Sequence, residues 1–574
     1  MLLDRLPISI LRNRFAPSRW DVLAFLLVLG FFVYIAEAAH GLTTSLAKLE
    51  ATPISLDPVS LIGYAARTAL RMVIAMLCSL AFTFTYATLA AKSRRAEIVL
   101  VPLLDILQSV PILGFTSVTF VFFLSLTPGR VAGAEMGAIF LIFTSQAWNM
   151  AFSFYQSLRS IPDELQEVAS SFRMSAWLRF WRLEVPFGMP SLIWNMMMSM
   201  SGGWFFVVAA EAISVGHTTV TLPGVGSYIA LAIEQRNLAA IGWAIGAMFV
   251  VILIFDQLLF RPLIAGADWF HLEQETGLTS SQTWALTMMR RSRFLNLIAR
   301  AFAGILRSGP GISQARRRAG RSRSTSSRVG DALWYGLLGI VVGVAVWKTF
   351  GFVRSGLDLG EAAHVVVLGL CTLLRVIVLI ALASLLWVPV GVFIGMRPRV
   401  ASIVQPIAQF LSAFPANLLF PFVVSAIVLF KLSPNIWLSP LMILGTQWYI
   451  LFNVIVGASA LPTDLRYASE NLRIKGWLWW RRVALPAVFP FYLTGAITAS
   501  GGSWNASILA EVASWGHERL EATGLGAYIA DNTDAGDFRR VVLGIAVMSV
   551  FVVMLNRFFW RPLYARAERK FRLQ

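Results

Sequence analysis

Long apolar runs separated by short polar or basic stretches fill the chain. Each is close to or above the roughly 20 residues a helix needs to cross a bilayer. They can be marked near 22–40, 66–91, 99–126, 133–158, 188–210 and 238–260, and again near 332–350, 366–395, 402–430, 437–460, 487–510 and 540–560. The runs are continuous rather than short and alternating, which favours helices over barrel strands, because a helix satisfies its backbone groups within each span. The pattern predicts an all-α integral membrane protein of about twelve transmembrane helices, built as two six-helix halves related by a parallel repeat.

Two polar islands interrupt this pattern at matching places. Residues 162–186 read PDELQEVASSFRMSAWLRFWRLEVP and residues 462–486 read PTDLRYASENLRIKGWLWWRRVALP, so a shift of 300 lays Pro462 on Pro162, Arg473 on Arg173, Trp477 on Trp177 and Pro486 on Pro186. In the first island Leu165, Val168, Ala169, Phe172 and Ala176 recur at helical spacing after Pro162, Asp163 and Glu164. That spacing predicts one amphipathic helix, with Arg173, Arg179 and Arg182 near an interface. An amphipathic helix offered to a groove is a recurring mode of partner recognition, and two islands imply two partner subunits.

Composition sharpens the class. Of 574 residues 57% are hydrophobic and 14% charged, with a mean hydropathy of +0.70, too apolar for a soluble domain. The net charge of +18 sorts by loop instead of forming a basic face with interleaved aromatics, which excludes a nucleic-acid partner as its explanation. Lys92, Arg94 and Arg95, then Arg173, Arg179 and Arg182, then Arg261 follow alternate spans, and Arg397, Arg399, Arg481 and Arg482 repeat the order. The positive-inside rule then puts both termini, the islands and the central linker in the cytoplasm, with loops 211–237 and 511–537 outside. The leader (Arg5, Arg12, Arg14, Arg19) and Ala36-Glu37-Ala38 also resemble a cleavable signal peptide, but the second half opens with a comparable span and no such pattern.

The predicted organisation is a cytoplasmic leader at 1–21, a first repeat at 22–265, a basic linker at 266–330, a second repeat at 331–563 and a basic tail at 564–574. No acidic residue falls in 278–330, so that arginine-rich stretch should be disordered, either lying against anionic membrane lipid at about 1 kcal/mol per basic residue near the surface or, the preferred reading, merely tethering the two halves. Cys78 and Cys371 fall inside runs with no ligand partner at metal spacing, and no metal site is expected.

Several residues inside the runs invite chemistry. Thr68 and Arg71 match Thr372 and Arg375; an intramembrane arginine either pairs near the outer surface or attracts an anion. Pro102 and Pro111 match Pro406 and Pro415 and predict kinked or broken helices. Gln146 and Gln447 either bind helix to helix or line a polar route, and Asn195, Gly202, Gly502, Trp504 and Asn505 fit either close packing or a pathway wall. Arg71, Arg375, Gln146, Gln447, Asn195, Gly202, Gly502, Trp504 and Asn505 are therefore the pathway candidates. Glu211 and Glu511, each followed by a glycine-bounded stretch containing Gly226 or Gly526, are candidates for an outer gate or docking surface. There is no G-x-x-x-x-G-K-[ST] phosphate loop, so the chain has no visible means of binding ATP, and two equal halves around a central axis suggest transport.

The islands resemble the Glu-Ala-Ala loop of permeases of binding-protein-dependent ABC importers, whose pattern runs Glu-Ala-Ala, three residues, Gly, then about a dozen residues to Leu-Pro. Glu167, Val168, Ala169, Arg173, Val185 and Pro186 stand at those places in the first copy, and Tyr467, Ala468, Ser469, Arg473, Leu485 and Pro486 in the second, so arginine replaces the glycine in both. With Gly224-Val225-Gly226-Ser227-Tyr228-Ile229, Gly524-Leu525-Gly526-Ala527-Tyr528-Ile529 and the two Arg-Pro-Leu stretches at 261–263 and 561–563, both halves resemble the nitrate, sulfonate, taurine and bicarbonate importer group, fused in tandem.

The resemblance implies a bacterial inner-membrane permease for a small anionic solute. It implies an extracytoplasmic solute-binding protein and two cytoplasmic ATPase subunits that carry ATP and Mg²⁺, with no cofactor bound by this chain and no enzymatic activity of its own. The residues it places at the ATPase contacts are Glu167, Ala169, Arg173, Met174 and Ser175, and Ala468, Arg473, Ile474, Lys475 and Gly476. The competing reading is a twelve-span ion-coupled secondary transporter, which needs carboxylates within the spans; Asp105 and Asp256 are the main ones, opposite Gln409 and Asn556 in the repeat. A membrane-embedded enzyme needs a catalytic cluster, and none is visible.

Overall fold

The computed structural model describes residues 54–109, 111–215, 218–263, 358–461, 463–516 and 518–571, with scattered positions among 21–30 and 336–351 and Ser292. The leader, the linker 266–330, most of the runs at 22–40 and 332–350, and the side chain of Asp105 lie outside the described residues.

The first repeat begins with α1 (Pro58–Lys92), whose start is fixed by Pro58 in the first turn and by the Asp57 carboxylate accepting the Val59 amide at 3.2 Å. Then come α2 (Arg94–Ser109), a single 3₁₀ turn at Ile112–Phe115, α3 (Thr116–Leu126) and α4 (Val131–Arg159). The first island contributes α5 (Asp163–Ser171) and runs into the long α6 (Ala176–Glu211). A hairpin, β1 (Ala212–Val215) with β2 (Thr218–Thr221), and the short α7 (Val225–Glu234) lead to α8 (Leu238–Leu263).

The second repeat follows the same order. It comprises α9 (Leu359–Gly395), α10 (Pro398–Ala413), a 3₁₀ turn at Ala416–Leu419, α11 (Phe420–Leu429), α12 (Pro434–Leu444) and α13 (Gln447–Ser459). Its island forms α14 (Thr463–Asn471) and the start of α15 (Gly476–Ala510). The hairpin β3 (Val512–Trp515) and β4 (Glu518–Glu521), then α16 (Leu525–Asp534) and α17 (Phe538–Ala567), complete it. Six of these helices are each long and apolar enough to span a membrane, and the pairs α10–α11 and α12–α13 are spans broken by 77° and 46°. With α2–α3 and α4 at the matching positions of the first repeat, ten of the twelve expected runs are accounted for.

Three details differ from expectation. The proline break falls at the second proline of each pair: Pro111 and Pro415 precede the 3₁₀ turns, whereas Pro102 and Pro406 stay inside α2 and α10. The loops after α6 and α15 form antiparallel hairpins, Ala212 opposite Thr221 and Val512 opposite Glu521, strands that the helical reading did not foresee. Each island is two helices rather than one. α5 ends at Ser171 and α14 at Asn471, and the next turn reverses through Arg173 (φ 48°) and Arg473 (φ 50°). The Met174 amide reaches back to the Ala169 carbonyl at 3.1 Å, and Ile474 to Ser469 at 2.9 Å, a helix stop that glycine makes with least strain.

The chain divides into two compact units. One gathers residues 1–44, 153–197 and 253–327 and includes the first island. Within it Phe154 lies edge-on to Phe180 at 6.4 Å, and the Ser153 and Ser191 hydroxyls meet at 2.7 Å. The other gathers 45–152, 198–252 and 328–574. Its core includes Ile394, Ala408, Leu451, Phe452 and Ile455, and the exposed side of α9 presents Leu370, Leu374, Leu382 and Leu385, surface for lipid to cover. Inside this unit the repeats meet by swapped contacts: the Ile112 amide donates to Asn505 Oδ1 at 2.5 Å, and Asn417 Nδ2 donates to the Phe205 carbonyl at 3.2 Å.

Candidate functional site

Two buried ionic clusters tie the loop after each long helix to the first helix of its repeat. In the first, Glu211 is wholly buried at the end of α6; its Oε1 accepts from Thr68 Oγ1 and from Arg71 Nη1, both at 2.6 Å. Its Oε2 accepts the Gly226 amide at 2.7 Å, and the Val225 amide donates to Thr68 Oγ1 at 3.0 Å. Arg71 also forks onto Glu135 of α4 through Nε and Nη2, both at 2.6 Å. A carboxylate thus holds the first turn of α7, whose amides have no helical acceptor of their own. Gly224 and Gly226 are required by closeness, because a Cβ would strike the Glu211 carboxyl at one and the Val208 carbonyl at the other.

The second cluster repeats the plan with one substitution. Glu511 accepts from Thr372 at 2.8 Å, Arg375 at 3.0 Å and the Gly526 amide at 2.7 Å, but Arg375 Nη2 finds Asn435 Oδ1 at 3.0 Å where the first repeat has Glu135. Asn435 also accepts the Thr523 amide at 2.7 Å. Glu135 and Asn435 were not singled out from sequence; the available signal was a lone carboxylate in the run at 133–158 and a polar residue 300 positions later.

A cavity of about 290 Å³ lies within the larger unit and is walled by both repeats. Gln108, Ser145 and Asn149 contribute from one repeat, and Thr446, Asn505 and Asn556 from the other, against apolar walls that include Phe205, Phe206 and Phe414. Among the described lining residues none is charged. The proline-broken turns border it through Ile112 and Ala416, and Gly202, Gly501 and Gly502 lie in its wall.

Of the pathway candidates, Gly202, Gly502 and Asn505 line this cavity and the others do not. Arg71 and Arg375 belong to the ionic clusters, so of the two readings the pairing is the one seen, and neither offers a free charge to an anion. Gln146 is buried between helices, donating to Met72 Sδ at 3.0 Å, and Gln447 accepts the Trp387 indole N–H at 2.8 Å. Trp504 is fully buried and stacks on Phe551 at 6.1 Å, so it supports the wall from behind. Asn195 donates to Ser153 Oγ at 2.9 Å within the smaller unit. Glu211 and Glu511 are too deeply buried to form a docking surface, and Gly226 and Gly526 meet them through backbone amides. Asp256 forms a local pair with Arg261 at 2.9 Å. Gln108, Ser145, Thr446 and Asn556 were missed as lining residues because hydropathy alone does not say which side of a span faces inward.

The islands leave much of their apolar side exposed. In α5 only Ala169 is buried, while Val168 is 50% and Phe172 74% exposed; Leu472 and Trp477 are 72% and 74% exposed in the second copy. The break at Arg173 separates Ala176 from the other four apolar positions, of which Val168 and Phe172 are exposed, Leu165 is half-buried and Ala169 is buried. Glu167, Arg173, Ala468, Arg473, Lys475 and Gly476 are exposed, whereas Met174, Ser175 and Ile474 are half-buried at the reversals.

The sequence pattern of a family described as "Binding-protein-dependent transport system inner membrane component" matches residues 83–262 and again 387–571. The chain is 26% identical over 205 residues to the bicarbonate transport system permease protein CmpB of Synechococcus elongatus, a stretch that is 36% of this chain and 69% of that protein. It is 25% identical over 221 residues to the nitrate import permease protein NrtB of a Synechocystis species, covering 38% of this chain and 75% of the relative. The glycine betaine/carnitine transport permease protein GbuB of Listeria monocytogenes is 26% identical over 170 residues, covering 29% and 54%.

Proposed function

We infer the function from a fixed premise: the chain belongs to the family of inner membrane components of binding-protein-dependent transport systems, carries two such units in tandem, and is a multi-pass ABC importer permease of the nitrate and bicarbonate type. Beyond that premise, the proposal is that two ATPase subunits grip the islands 162–186 and 462–486 and drive alternating access to the cavity for a small anionic solute. ATP and Mg²⁺ act on those subunits, and this chain catalyses nothing itself. A solute-binding protein delivers from the hairpin ends, which the basic loops place outside the cell, with both termini in the cytoplasm and the permease in a bacterial inner membrane.

The observation that carries the reading is the pair of exposed apolar surfaces on the islands, Val168, Phe172 and Trp177 in one and Leu472, Trp477 and Leu478 in the other. A polar segment that turns large apolar side chains outward at two repeat-related places fits two grooves on partner subunits. Binding of ATP in preference to one arrangement of those subunits would supply the free energy that rocks the two repeats. Asp256 pairs locally with Arg261, and no observation among the described residues favours the secondary transporter.

The test is purification of the chain under mild conditions from its own cell, with its co-purifying proteins identified and ATPase activity measured, beside the double variant Arg173→Glu and Arg473→Glu. The expected result is a partner ATPase that is lost in the variant. Absence of any ATPase from the intact complex would sink the proposal.

A further inference from the structure

Both repeats build the first turns of the long helix and the last turns of the final span as π turns, Phe180–Glu184 and Asp256–Phe260 in the first, Trp480–Ala484 and Leu555–Trp560 in the second. They differ in charge. Over residues 177–186 and 255–263 the first repeat carries Arg179, Arg182 and Arg261, and two carboxylates answer them: Glu184 meets Arg179 at 3.1 Å and Asp256 meets Arg261 at 2.9 Å. The matching residues 477–486 and 555–563 carry Arg481, Arg482, Arg557 and Arg561 and no carboxylate, because Ala484 and Asn556 stand where the acids were. All four arginines are exposed, and Arg481, Arg482 and Arg557 form no hydrogen bond or ion pair among the described residues. The two stretches are neighbours, since the helix Arg561–Phe571 that continues α17 packs on α15. In the tail beyond them Arg566, Arg569, Lys570 and Arg572 outnumber Glu568.

The surroundings of the arginines decide which partner they suit. Val553 and Met554 precede Arg557 by one turn and Phe558 follows it, all exposed, and Trp477, Leu478 and Leu485 are exposed beside Arg481 and Arg482. Apolar side chains facing outward from a span are surface for hydrocarbon, and aromatic rings concentrate at headgroup level. An arginine at the end of such a surface lifts its guanidinium to the interface while its stem stays in the apolar layer. A protein partner would need these apolar neighbours clear of the bilayer, yet they belong to one continuous apolar helix, Phe538–Ala567. A guanidinium forks onto a phosphate as it does onto a carboxylate, so the counter-charge that the first repeat supplies from its own chain is left here to a headgroup.

We propose that the second repeat binds an anionic phospholipid at this end, its phosphate held by Arg481, Arg482, Arg557 and Arg561, and that the first repeat has no such site. The site lies apart from the cavity and the islands' grooves, and it does not depend on the permease reading. Basic pockets between spans are a known way of holding anionic headgroups.

The test uses the full chain with its co-purifying subunits, stripped of lipid in an uncharged detergent and titrated with phosphatidylglycerol or phosphatidylcholine of the same acyl chains. Bound lipid is counted by native mass spectrometry. A basic residue near an anionic headgroup is worth about fivefold in affinity, so Arg481→Gln with Arg482→Gln should weaken the tightest phosphatidylglycerol site about 25-fold, and Arg557→Gln or Arg482→Gln alone about fivefold. Phosphatidylcholine binding should stay within about twofold throughout, as should phosphatidylglycerol binding to Arg182→Gln, the matching change in the first repeat. Arg481→Lys with Arg482→Lys keeps the charge and should hold the site within about threefold. Should the glutamine pair fail to accumulate, Arg557→Gln carries the same comparison. Equal binding of the two lipids, or equal effects of Arg182→Gln and Arg482→Gln, overturns the proposal. Displacement by glycerol phosphate at concentrations equal to the lipid overturns it too, by making the patch a site for free phosphate. So does loss of co-purifying subunits from the glutamine variants with phosphatidylglycerol binding unchanged, which would make the patch a protein docking surface.

Discussion

The two repeats share one plan and distribute their charge differently. The first buries it: Arg71 is held between two carboxylates, and in its island Glu184 is buried beside Arg179 at 3.1 Å. The second replaces Glu135 by Asn435 and Glu184 by Ala484, and carries an ionic network at an exposed surface, where Arg519 meets Glu521, Asp531 and Asp534. The first repeat has Thr219, Thr221, Leu231 and Glu234 at the corresponding places. What both keep is the threonine, the arginine, the carboxylate and the two glycines, the minimum that anchors a short helix against a span. The partner of the arginine's second edge is free to vary between carboxylate and amide, because either satisfies the same N–H.

That contrast predicts unequal responses to parallel changes. Arg71→Met leaves the buried Glu211 and the partly buried Glu135 without their cation and should cost about 3–5 kcal/mol, read as the largest fall in the thermal midpoint of the solubilised chain by tryptophan fluorescence. Arg375→Met strands only one carboxylate beside a neutral amide and should cost roughly half as much by the same reasoning; an equal fall would show that Glu135 adds nothing. Gly526→Ala forces a methyl onto the Ser507 carbonyl and should cost about 1–3 kcal/mol, with faster hydrogen exchange confined to α16. Arg519→Ala removes pairs whose partners are 40–50% exposed, and its effect should stay below about 1 kcal/mol. Smallest and opposite in sign, Arg173→Gly or Arg473→Gly relieves a left-handed residue and should stabilise by up to about 1 kcal/mol. Unchanged co-purification of the partner ATPase would separate that backbone effect from docking.

Much of the site was half legible. Thr68 with Arg71 and Glu211 with Gly226 each stood out as repeated pairs, yet nothing along the chain joined residues 143 positions apart. The arginines left pairing near the outer surface and attraction of an anion both open, because a lone charge in a span is costly and the partner that neutralises it can only be seen across helices. The islands were recognisable as a duplicated motif, but the period that predicted one helix ignored the reversal at Arg173, where arginine takes a conformation more natural to glycine.

The sequence by itself determined the membrane character, the helical class, the two-fold repeat and the position of the islands, because each follows from local hydropathy, from the bilayer's demand for satisfied backbone groups, or from direct self-similarity. Only the tertiary structure decided which polar groups meet. Glu211 closes on Arg71, Gln146 is taken up between helices, Trp504 turns to the core, and Gln108, Asn149, Asn505 and Asn556 are left to line a cavity whose described lining carries no charge. The physical reason is that a span's hydropathy is nearly the same on every side, so the direction a polar side chain takes is settled by the neighbour that can satisfy it, and that neighbour is distant in sequence.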